Sequence, residues 1–249
     1  MKPNKSRHRL AGTCLVSGPR IGSNARTALT IGTLLTGLFT GCMHPGPHDP
    51  ARVGPFFTPA NHVGEPSLGG VRRVVVLPVW GGHVAPVETV AELDAIVVTA
   101  LQQSQRFEVV SLSREDSRRR FGAEAFSSAS ALPPDLLATL RREFAAEAVL
   151  LVDLTVFSAY RPLELGLRAK LAAIDGSRLI WTFDTLFSAK NPAVANAARQ
   201  HFLEADKRVP ADMTHSALQS PSRFATYVTA AMFATLPPVL PPPPVAVKR

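Results

Sequence analysis

Apolar positions along this chain follow two rhythms, one near 3.6 residues and one of two, and together they mark out its elements. Residues 71–79 (VRRVVVLPV) are a β-branched run suited to a buried strand, closed by Gly81-Gly82. Over residues 87–104, Val90, Leu93, Val97, Ala100 and Leu101 recur at helical spacing, with Glu92, Asp94 and Gln103 on the other side. This predicts an amphipathic helix. Residues 106–112 (RFEVVSL) read as a second strand, and Ser113 as the N-cap of a short charged helix through Arg120. After a Ser/Ala-rich loop, Pro133-Pro134-Asp135 opens another helix with Leu136, Leu137, Leu140 and Phe144 on one face.

The second half is richer in strand signal. Residues 148–152 are apolar on both faces, and alternation follows through Leu154, Val156 and Phe157, as in a central strand. Over residues 163–174, Leu163, Leu165, Leu167 and Leu171 point one way and Glu164, Arg168 and Lys170 the other. Asp175-Gly176 supplies a tight hairpin turn, because glycine adopts positive φ without steric cost. Leu179, Trp181, Phe183 and Phe187 continue the apolar face on the returning strand. An Ala-rich helix over 192–205 follows, and a last one starts at Ser220-Pro221, presents Phe224, Val228 and Ala231, and stops before Pro237. The order β-α-β-α-α-β-β-β with two trailing helices predicts an α/β fold. Its sheet is mixed, of about five strands, covered by helices, with parallel pairing early and an antiparallel hairpin late.

Both flanks differ from this domain of residues 71–236. Pro45, Pro47, Pro50, Pro55, Pro59 and Pro66 crowd residues 42–70, which read as an extended Pro/Gly-rich tether without a packed core of its own. Residues 237–249 read as a Pro-rich, polyproline-like tail ending Lys248-Arg249. These ends are expected to be disordered.

Residues 1–41 carry Lys2, Lys5, Arg7, Arg9, Arg20 and Arg26 and no acidic residue, ahead of an apolar run over 27–41. About 15 residues are too few to span a hydrocarbon core about 30 Å thick, but suit a secretory signal. Phe39-Thr40-Gly41-Cys42 closes the run, with small residues directly before the cysteine. The string resembles the bacterial lipoprotein lipobox, with Phe39 where such proteins usually carry Leu. The resemblance implies that Cys42 is diacylated and becomes the new N-terminus; an ordinary signal peptide with an incidental cysteine is the competing reading. Met43, in place of Asp, implies sorting to the outer membrane, facing the periplasm.

Cleavage at that point changes the electrostatics. The chain has 27 Lys+Arg and 19 Asp+Glu, a formal +8. Losing the six basic residues before Cys42 leaves 21 against 19, or +2. The basic balance therefore belongs to the targeting segment and gives no ground for a nucleic-acid partner. Cys14 and Cys42 are the two cysteines, so a lipidated mature chain has no thiol left for a disulfide or a cysteine zinc site. A multiply acylated Cys42 is a stable anchor to a membrane.

The strings RVVVLPV, ALQQSQRFEVV, AAEAVLLVDLTVF and LRAKLAAIDGSRLIW, between residues 71 and 187, resemble the envelope lipoproteins that include the curli-secretion protein. That group also holds the lipoprotein activator of peptidoglycan synthases and, more distantly, the N-terminal domain of TolB. The resemblance implies an anticodon-binding-like fold used for contacts with another, unidentified envelope protein, or with further copies of itself in a homo-oligomer. One member type forms an export pore from two hairpins per subunit; here one clear hairpin exists, over residues 163–187.

Catalytic signatures are missing from the sequence: it has no G-x-S-x-G, P-loop, H-E-x-x-H or C-x-x-C string. Gly81-Gly82-His83 lacks the rest of a phosphate loop and reads as a turn. His44, His48 and His62 sit among prolines, where no regular element would set metal-ligand geometry. Asp153 is read as the point where a strand passes from buried to half-exposed, Arg118-Arg119-Arg120 as a solvated face, and Phe224, Tyr227 and Phe233 as helix-to-sheet packing. The expectation is a lipid-anchored envelope protein, not an enzyme, with no cofactor beyond the lipid on Cys42 and no metal or catalytic residues. An export-pore component is the alternative and a periplasmic hydrolase a remote one.

Overall fold

A computed structural model describes residues 49–205 and 211–239. The elements are α1 (Pro50–Val53), β1 (His62–Gly64), β2 (Arg73–Val76), α2 (Val87–Gln103), β3 (Glu108–Ser111), α3 (Arg114–Phe121) and α4 (Leu136–Phe144). There follow β4 (Ala148–Ser158), β5 (Glu164–Ala173), β6 (Leu179–Ser188), α5 (Pro192–Ala205), a 3₁₀ segment (Ala211–Leu218) and α6 (Pro221–Ala234). The strands form one mixed sheet in the order β1-β6-β5-β4-β2-β3. β2 runs parallel to both β3 and β4, and the other pairs are antiparallel.

The predicted α/β class, the order of its elements and the late hairpin are all present. Ser113 caps α3 as expected, its Oγ accepting from the Asp116 N–H at 3.0 Å. The first strand is shorter than its apolar run, because Pro78 has no N–H to give the ladder. Pairing resumes beyond it, where Trp80 N–H donates to Val152 O and Leu154 N–H to Trp80 O.

The sheet has six strands where the sequence predicts about five, and the sixth comes from the expected tether. Residues 49–70 are not extended and free. Val63 of β1 pairs with Thr182, Ala51 and Leu68 are fully buried, and Phe57 stacks edge-on against Phe187 at 5.3 Å. Asp49 secures the entry point: its carboxylate accepts from the Ala51 N–H at 3.0 Å and pairs with buried Arg199 at 3.1 Å. The Ala51 N–H and then the Arg199 charge hold that carboxyl below its ordinary range. Composition misleads here because prolines, which forbid a helix interior, still fit an edge-strand approach and a first helical turn. The tail also begins inside the fold. Pro237 and Pro238 carbonyls accept from Arg106 and from the Leu68 N–H. Gly64 makes room for them, since a Cβ there would stand 2.8 Å from Pro237 Cγ.

One sheet face is apolar across its width and lies under α2, α5 and α6. Val74 and Val76, Leu150, Val152 and Leu154, Leu167 and Leu171, and Trp181, Phe183 and Phe187 line it. Rings step along β6 and out to α6: Trp181 on Phe183 at 5.8 Å, Phe183 on Phe187 at 6.4 Å, Phe187 edge-on to Tyr227 at 5.9 Å. Phe224, Tyr227 and Phe233 are thus internal, as the sequence predicts. The opposite face is covered chiefly over β2 and β4, where Val75, Leu77, Val149 and Leu151 meet Leu136 and Leu140 of α4, with Val110 of β3 and Ala172 of β5 packed at the margins.

Phe187 touches rings on two sides and is fully buried, so Phe187→Ala is expected to cost about 3–5 kcal/mol of stability. Urea unfolding monitored by far-UV circular dichroism checks this; a midpoint unchanged from wild type would contradict the ring ladder as a core.

Candidate functional site

Cys42, the predicted lipid attachment point, lies outside the described residues, as do His44 and His48. His62 is exposed on β1. Among the described residues no group of three or more His, Cys, Asp or Glu side chains is placed to hold a metal ion. No helix among them is long and apolar enough to cross a membrane.

Three carboxylates are drawn inward, and each fastens a chain crossing. Asp49 is described above. Asp94 of α2 stands in a crevice of about 400 Å³ at the C-terminal ends of β2 and β3, from which α2 and α3 leave toward opposite faces. Such a switch point is where α/β folds favour ligands. Here the polar groups of its wall are already paired with one another. Asp94 accepts from the Val79 N–H at 2.7 Å and from Arg114 Nε at 2.7 Å, while Arg114 also reaches Val79 O at 2.8 Å. Burial pushes the Asp94 carboxyl up, against the lowering pull of the Val79 N–H and of Arg114. Helical spacing sets Asp94 opposite the apolar stripe of α2 and shows no more than that; the pairing depends on a partner twenty residues away.

Asp153 is the third, and the half-exposed position expected for it is wrong: it is 1% exposed. β4 is covered on this side by the Ser/Ala-rich loop, whose polar atoms replace water. Ser127 Oγ, Ser128 Oγ and the Ser128 N–H donate to its carboxylate at 3.0, 3.0 and 2.8 Å. Lys170 on the neighbouring strand donates to Ser128 O at 2.6 Å, tying the same loop to the sheet. A local sequence signal existed in the serine pair, but not its distance of 25 residues from Asp153.

The triple arginine is neutralised internally. Arg118 pairs with Glu124, Arg119 with Asp116, and Arg120 with Glu143 while lying 5.3 Å over the Phe144 ring. Gly81-Gly82-His83 is a turn, with the Val84 N–H donating to Gly81 O.

The surface left open is the outer sheet face over β5, β6 and β1. Arg168 and Asp184 pair across it at 2.8 Å, beside Lys170, Thr182 and Asn61, around a shallow depression of about 230 Å³. Val63 is 73% and Leu186 50% exposed on it. The register explains why: Val63, Thr182 and Lys170 are aligned across three strands on the side opposite the ring ladder, and among the described residues no helix returns over them. A mixed apolar and charged face of this kind is what non-obligate protein contacts use.

No protein-family model matches the chain, and no curated protein matches it. Among solved structures it is similar to a PelC dodecamer from Paraburkholderia phytofirmans, with 12% identity over 72% of this chain and 96% of that one, TM-score 0.44. It is similar to the lipoprotein GNA1162 from Neisseria meningitidis, with 13% identity over 54% and 99%, TM-score 0.37. A third is the LpoB C-terminal domain from Salmonella enterica, with 16% identity over 48% and 86%, TM-score 0.32. Likeness at these scores carries no function across.

The raised Asp94 gives a signed expectation. The folded protein holds that proton more tightly than the unfolded chain, so this site's contribution declines as pH rises from about 4 through the higher native value. The stability difference between wild type and Asp94→Asn, from urea unfolding at about pH 3 to 7, should shift against wild type across that window. A difference independent of pH would contradict the burial argument.

Proposed function

We propose that this is a lipid-anchored protein of the bacterial cell envelope, non-enzymatic, that acts through contacts with another envelope protein. The observation that carries the reading is the joint N-terminal pattern: six basic and no acidic residues, a short apolar run, small Thr40 and Gly41, and then Cys42. Acylation of Cys42 holds the domain at a membrane, and the outer membrane facing the periplasm is the proposed location. Asp94 and Asp153 are each engaged by the protein's own groups, Arg114 and the Val79 N–H at the first and Ser127 and Ser128 at the second, so both serve to fasten loops to strands. The open face around Val63, Leu186 and the Arg168–Asp184 pair is the surface we assign to the partner.

Cys42→Ser should abolish incorporation of labelled palmitate and release the protein from the membrane fraction; unchanged labelling and fractionation would end the proposal. For the partner surface, a photo-crosslinking residue at Leu186 should give one discrete adduct in growing cells. Val63→Asp should remove that adduct while changing stability by no more than about 0.5 kcal/mol, since the site is exposed. An adduct insensitive to Val63→Asp would place the contact elsewhere.

A further inference from the structure

The anchor and the folded domain are closer in sequence than the proline content of residues 42–70 implies, because Asp49 is already held by the domain. Asp49 is seven Cα-to-Cα steps from Cys42, which fully stretched reach only about 25 Å. A domain of this length is about 40 Å across. A leash shorter than the body it holds limits which part of that body can meet the bilayer.

The leash joins the domain beside one end of the sheet. From Asp49 the chain runs along α5, with Asn196 donating to Pro55 O at 3.3 Å and the Phe57 N–H to Ala193 O at 3.2 Å. It reaches the end where β4 finishes, β5 starts and β6 finishes, since Ser158, Glu164 and Ser188 lie in register there. The Ala189 N–H donates to Leu163 O at 2.8 Å, which closes the β4–β5 turn against the start of α5.

The exposed side chains at this end have an unusual composition. Tyr160 is 86%, Val53 60% and Phe56 37% exposed. Three exposed cations neighbour them along the chain: Arg52 next to Val53, Arg161 next to Tyr160, and Lys190 just beyond the end of β6. The acid in the adjoining strand, Glu164, is partly buried and already accepts from Ser188 Oγ at 2.8 Å. An amphipathic tyrosine at the tip, flanked by apolar and basic side chains, is the chemistry that seats a protein in lipid headgroups. Basic side chains add attraction to anionic lipid, felt within a Debye length of the surface.

We propose that this end of the sheet, carrying Val53, Phe56, Tyr160, Arg52, Arg161 and Lys190, lies on the membrane surface as a second, non-covalent contact beside the lipid. The inference rests on acylation at Cys42, which sets the reach. The occupant is a bilayer with anionic headgroups. The contact orients the domain: β5 is ten residues long, so the β5–β6 turn stands about 30 Å further from the membrane.

The test uses the full-length chain, expressed with its leader, purified from membranes and reconstituted in phosphatidylethanolamine–phosphatidylglycerol vesicles. A fluorophore is placed on Val53→Cys, on Tyr160→Cys, and on Ser177→Cys in the β5–β6 turn as the distant control. Headgroup-depth quenchers in the lipid should extinguish emission at 53 and 160 and leave 177 bright. Arg161→Glu combined with Lys190→Glu should restore emission at 160. Mass analysis of the Cys42 peptide from the same sample separates the two ideas. An acylated peptide with equal, solvent-like emission at all three positions overturns the membrane contact and leaves the anchor standing. An unmodified peptide overturns the anchor, and the contact with it.

Discussion

Covering one complete sheet face is the constraint on which this protein depends. The strands from β6 across to β2 turn a continuous apolar surface toward α2, α5 and α6, with Trp181, Phe183 and Phe187 on β6 and Tyr227 and Phe233 closing over them. Burial of this area is the largest favourable contribution available to a domain of this size. It also dictates the chain path, because α6, last in the sequence, must return to the strands laid down before it. The other face is apolar chiefly where α4 covers β2 and β4, and beyond that it turns to Arg168, Lys170, Thr182 and Asp184. The binding surface we assign is what remains once the apolar side has been satisfied.

Polar groups inside the fold fix crossings more than they add stability. Removing a carboxylate from water costs free energy that its partners recover only with good geometry. At Asp94 and Asp153 that geometry is provided by backbone N–H groups as well as side chains, which ties specific loops to specific strands. Asp49 does the same for the entry of the chain, gripping α5 through Arg199. Among the described residues, Tyr227 Oη and Thr185 Oγ1 are buried without a hydrogen-bond partner, and burial pushes the Tyr227 phenol up. Thr185 belongs to β6, and Tyr227 packs on the same strand through Phe187; their ring and methyl groups outweigh the unmet polar atoms.

Asp49 also links fold to function. Had residues 49–70 been free, an anchored domain would have had a reach of roughly 90 Å and no preferred orientation. Gripped at Asp49, the proposed anchor instead holds one end of the sheet near the lipid and leaves the open face beside β1 free for a partner. The two surfaces carry different chemistry, one aromatic and basic, the other mixed in charge with two exposed aliphatics, and they share β6.

Local pattern in the sequence sets most of the elements, and it carries the N-terminal signature on which the proposed anchor rests. Period-two alternation in β5 and β6, helical spacing in α2 and α6, the Ser113 and Ser220 caps and the motif ending in Cys42 are local patterns, legible because backbone geometry repeats over a few residues. Only the packed structure decides the sixth strand, the burial of Asp153 and the Asp94–Arg114 clamp. Each joins residues from 20 to more than 100 positions apart, and no local pattern records which distant group will replace water around a given side chain. β1 is the clearest instance. Three exposed residues among prolines carry almost no strand signal, and β6 makes them a strand by offering the free backbone groups of its edge.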